Sequence, residues 1–252
     1  VSEIRNQSTF SFLDLEFERK SGEITLFLLN IMLLVFIGTY NYEQFFEVVE
    51  KANLSSDTHE RVNAVIFSIL MAVGVILFYF KGGFNFDEKA GSLKKLAKVW
   101  ISLNVILIIS AIIKNSEYVS FYGLTYKRLG VYAFLLLAII GLMVSFQKIR
   151  RQKTNAFLFN QMIWYFYATV LLCSYVNWGS LITNYNISVK KGVEPVFLSG
   201  LNFNDETRRA YFKTNHLNGN YQESSREQMI SNYQNESFLS KALYYEFLDK
   251  KK

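Results

Sequence analysis

Apolar residues in this chain fall in long blocks separated by short polar stretches, a pattern too continuous for surface helices or for half-buried strands. Five blocks are long enough to cross roughly 30 Å of hydrocarbon as helix, which takes about 17–25 residues. They are 24–40, 62–80, 96–113, 129–146 and 157–182, the last with length to spare for tilting or for running past the bilayer. The pattern predicts an all-α fold: a polytopic transmembrane helix bundle of about five spans with a short helical C-terminal tail.

On this reading 1–23 is an amphipathic lead-in, 24–186 the transmembrane domain and 187–252 a polar tail. In the lead-in FSFLDLEFERKSG, Phe10, Leu13 and Phe17 share a helical face, while Leu13, Leu15 and Phe17 alternate with Asp14, Glu16 and Glu18 as in a strand. Both patterns are amphipathic, and an interfacial segment is expected. Its acidic residues are unlike the basic start of a signal peptide, so the first span is expected to stay in the protein. A first residue of Val1 leads to the expectation that the natural start lies upstream or that the sequence is incomplete. In the tail, SREQ at 225–228 fits a capping box, NDETRRAYFKTNHL a helix after Asn204, and Ser237 a cap for FLSKALYYEFLDKKK, where Leu239, Leu243, Tyr244 and Phe247 share a face.

Charge changes the picture by its placement. A formal net charge of +6 would suggest nucleic acid as a partner of a soluble protein, but here most cations lie in the loops between apolar blocks, so no nucleic-acid partner is expected. Arg19, Lys20, Lys94, Lys95, Lys148, Arg150 and Arg151 fall on one side, and the opposite side holds fewer, among them Lys51, Arg61, Lys114 and Lys127. The bias predicts a cytoplasmic N-terminus and a tail outside the membrane. The one cysteine, Cys173, lies in the fifth block and so forms no intramolecular disulfide.

Candidate chemistry is sparse. His59 and His216 stand in separate polar segments without Cys or carboxylate at ligand spacing, so neither a metal site nor a cofactor is expected. Phosphate-loop, dinucleotide, zincin and hydrolase signatures are lacking in the sequence. Within the spans the polar residues are uncharged amides and hydroxyls, and Asn30, Asn104, Asn160 and Gln161 are expected to bond between helices, with Asn30 and Asn104 as the leading pair. Four N-x-S sequons, at Asn6, Asn53, Asn186 and Asn235, would be glycosylation acceptors in a eukaryotic secretory protein, but in a chain this rich in asparagine chance occurrence is the expectation.

The stretch SEYVSFYGLTYKRLG, 116–130, stands out. With Thr125 as a helix N-cap, Leu124 and Leu129 take the positions of a hydrophobic staple, and Lys127 and Arg128 occupy the first turn, where the helix dipole disfavours cations by about 0.3–1 kcal/mol each. Tyr122, Thr125, Lys127, Arg128 and Glu117 are therefore the candidate contacts for a ligand or partner, and an anion is expected at Arg128.

The runs YGLTYKRLGVYAFLLL, LEFERKSGEITLFLLNIMLLVF and NWGSLITNYNI together resemble a bacterial family of polytopic membrane proteins catalogued as a domain of unknown function. The resemblance rests most on Tyr122, Gly123, Leu124, Thr125 and Arg128, and it implies a place in a bacterial cytoplasmic membrane, with further spans upstream in other members. It implies no activity, substrate or cofactor. The leading expectation is a structural or accessory subunit of a larger membrane assembly, with lipid and other membrane subunits as partners. The alternatives are a transporter or channel for an anionic or lipid-linked solute, and a membrane enzyme or receptor using the outer face.

Overall fold

The structure, a computed structural model, describes residues 15–46, 54–80, 83–217, 221–238 and 243–246. Among them every regular element is helical: α1 (Leu15–Phe46), α2 (Leu54–Tyr79), α3 (Gly83–Phe86), a single 3-10 turn (Glu88–Ala90), α4 (Gly91–Tyr122), α5 (Tyr126–Arg150), α6 (Asn155–Tyr175), α7 (Trp178–Val189), α8 (Pro195–Ser199), α9 (Asp205–Thr214), α10 (Tyr221–Gln234) and α11 (Leu243–Glu246). Four stretches are long and apolar enough to cross a membrane, Glu16–Glu43, Glu88–Tyr122, Tyr126–Arg150 and Asn155–Tyr175, and a shorter apolar helix covers Asn63–Tyr79. The chain forms two compact units, Val1–Val119 with Lys127–Cys173 and Ser120–Tyr126 with Ser174–Lys252.

In the first unit, buried positions recur at alternating steps of four and three. On α4 they are Leu93, Ala97, Trp100, Asn104, Leu107, Ala111, Lys114 and Tyr118. On α2 they are Val65, Ile69, Ala72 and Ile76, while α1 contributes Leu26, Leu33 and Tyr40 and α5 contributes Leu135, Leu142 and Ile149. A repeat averaging 3.5 residues keeps one face on its neighbours when the helices wind left-handedly. The outward faces are apolar too: Phe27, Met32, Phe67, Met71, Leu136 and Met143 are all more than half exposed. An exterior of that kind suits hydrocarbon better than water.

Polar groups lock the helices where the backbone offers acceptors. Asn30 Nδ2 donates to the Leu96 carbonyl at 3.1 Å, joining α1 to α4, and Trp100 Nε1 donates to the Ala72 carbonyl of α2 at 3.5 Å. At the end of α5, the Asn85 amide donates to the carbonyls of Lys148 and Lys153, the fully buried Lys148 Nζ donates to Asn155 Oδ1, and Asn155 Nδ2 donates to the Leu77 carbonyl. A side chain on Gly22 would meet the Tyr79 ring at 2.9 Å and Leu93 at 3.1 Å, so any larger residue there would have to push those two side chains aside where α1 passes α2 and α4.

Several expectations need correction. The apolar block 157–182 is not one span: α6 stops at Tyr175, and Asn177 caps a separate helix, α7, by accepting from the Ser180 N–H at 3.0 Å. The boundary expected at 186–187 is replaced by a division after Cys173, with Ser120–Tyr126 grouped with the C-terminal part. The lead-in is helical from Leu15 and continuous with the first span, whereas Phe10 and Leu13 lie outside the described residues. The SREQ stretch does not begin a helix, since α10 starts at Tyr221 and Ser225 falls within it. Of the helix expected after Ser237, α11 is described; Leu239 and Phe247 lie outside the described residues.

Candidate functional site

The five residues proposed as a ligand or partner site divide between the units: Glu117, Lys127 and Arg128 belong to the first, Tyr122 and Thr125 to the second. In the first unit, Lys114 Nζ lies 3.0 Å from Glu117 Oε2, an ion pair in which the lysine is buried and the glutamate half exposed. The Arg128 guanidinium lies over the face of Tyr118, 4.2 Å from the ring centroid. The anion expected at Arg128 is answered in part by this aromatic face, whose negative quadrupole holds a cation by about 0.5–2 kcal/mol. Asn115 Nδ2 donates to the Arg128 carbonyl at 3.3 Å and the Ser116 and Tyr132 hydroxyls bond at 2.7 Å, so the ends of α4 and α5 are tied around the turn. Lys127 is exposed.

The second unit is organised by an asparagine that the sequence offered only as a chance sequon. Asn186, fully buried on α7, accepts from the Leu124 N–H at 2.6 Å through Oδ1. Its Nδ2 donates to the Leu124 carbonyl at 3.1 Å and to the Gly192 carbonyl at 3.2 Å. One side chain thus meets both backbone groups of Leu124, as a neighbouring strand would. Gly123 makes room: its φ is +83°, and a Cβ there would stand 2.8 Å from Asn186 Oδ1 and 2.8 Å from the Lys191 carbonyl oxygen. Thr125 stands immediately before α5, the N-cap position the sequence predicts, and Tyr122 is exposed.

Asn186 closes a polar row along α7, with Asn177, Ser180 and Thr183 at three-residue steps. Asn177 Nδ2 and Ser180 Oγ both donate to the Phe203 carbonyl, at 2.8 and 2.9 Å. Asn204 Nδ2 donates to Thr183 Oγ1 at 2.9 Å and to the Leu198 carbonyl at 2.8 Å. Gly179 lies so close to the Asn202 carbonyl that no side chain fits there. Beyond this loop, Phe203 packs edge-on to Tyr244, and Tyr245 stacks on Tyr233 with ring centroids 4.3 Å apart. Burial pushes the phenols of Tyr244 and Tyr245 above their ordinary value, the larger influence on each. Asp205, buried at the start of α9, pairs with Arg208 at 2.9 Å.

The four amides expected to join helices take different positions. Asn30 reaches α4, as described above. Asn104 is fully buried but donates to the carbonyl of Trp100 on its own helix, at 2.8 Å. Asn160 is exposed on α6, and Gln161 is half-buried. Among the described residues no group of three or more His, Cys, Asp or Glu side chains is placed to hold a metal ion.

A family profile described as a domain of unknown function (DUF4153) matches residues 5–206. No curated protein matches the chain, and no solved structure does.

Proposed function

The chain belongs to the DUF4153 family, and since that family carries no stated activity, we propose from the chain's own geometry that it is an integral structural or accessory subunit of a larger membrane assembly. The observation that supports this most is the use made of the polar side chains in YGLT and NWGSLITNYNI. Asn186, Asn177 and Ser180 spend their hydrogen bonds on fixing backbone at Leu124, Gly192 and Phe203, and Thr183 accepts from the Asn204 side-chain amide. What such a unit offers to its surroundings is a fixed surface, with Tyr122, Tyr126, Lys127 and Val196 exposed on it or beside it in sequence.

The same reading places the protein in a bacterial cytoplasmic membrane, with α2 completing five crossings, the N-terminus in the cytoplasm and the C-terminal unit outside. The cations gathered at Arg19, Lys94, Lys148 and Arg150 support that orientation. Affinity capture of the tagged full chain from native membranes, in mild detergent, tests the role. A different membrane protein is expected in stoichiometric amount, and at least threefold less of it with Asn186→Leu. A chain that brings down nothing but itself overturns the proposal.

A second reading, passage of an anionic or lipid-linked solute, draws on acceptors inside the first unit. Asn30 Oδ1, Asn104 Oδ1 and Ser145 Oγ are buried without a hydrogen-bond partner among the described residues. Solute flux into vesicles that falls with Asn104→Leu would favour it.

A further inference from the structure

We draw no further inference here: the strongest candidate, the buried cluster of Lys148, Asn155 and Asn85 at the end of α5, is spent on tying neighbouring helices together and holds its ammonium group fully buried, with nothing in the structure to show a ligand that reaches it.

Discussion

Replacing Asn186 by leucine keeps a side chain of similar breadth but strips hydrogen bonds from the Leu124 N–H and from the carbonyls of Leu124 and Gly192. Each buried group left unpaired costs about 1–3 kcal/mol, so the second unit should lose on the order of 2–5 kcal/mol. Gly123→Ala, with its positive φ and a backbone oxygen in the way, should cost about 1–3 kcal/mol. Both should appear as faster proteolysis in 193–217 and a lower unfolding midpoint in detergent; Asn186→Leu with unchanged resistance would refute the bridge. That role was hidden in the sequence because the partner lies 62 residues away. The local trace was the three-residue spacing of Asn177, Ser180, Thr183 and Asn186. Arg128 shows a similar limit: its meeting with Tyr118 follows from the reversal at Gly123, which the glycine announced without saying which ring would face the cation.

At the level of whole helices, each hydrophobic block falls on an apolar helix, but the blocks misplace the helix ends. The block 96–113 marks the middle of α4, which runs from Gly91 to Tyr122, because hydropathy falls at Lys94, Asn115 and Ser116 while helical hydrogen bonding continues. The run 157–182 concealed a break, since apolar content does not register a capping asparagine. The burial repeat on α4 separates two residues that looked alike. Asn30 joins two helices, whereas Asn104 donates within its own helix and its Oδ1 is buried without a hydrogen-bond partner among the described residues. Asn104→Leu is therefore expected to raise the unfolding midpoint by about 1 kcal/mol equivalent, and Asn30→Leu to lower it by about 0.5–1.5 kcal/mol. Thermal melts of the two variants in one detergent decide this, and equal shifts would reject the distinction.

For the molecule as a whole, the two units should respond differently to alkali. Tyr244 and Tyr245 hold their protons more tightly when folded than at the ordinary value of 10.0. Their contribution is intact below that pH and is lost as pH rises past it, because the folded unit resists an ionisation that the unfolded chain accepts. Loss of the second unit, followed by tyrosinate absorbance and proteolysis, should begin above about pH 10, and later in Tyr245→Phe. The discontinuity of that unit has a consequence in time. Leu124 leaves the ribosome 62 residues before Asn186, and at about 5–20 residues per second the delay is about 3–12 s. Throughout it the YGLT turn must borrow water or a helper protein for the bonds it will later make, while α5 and α6 are being threaded. The asparagine arrives as a latch that shuts only once that threading is done, so a ribosome stalled before it would leave the turn open to whatever quality-control machinery patrols the membrane.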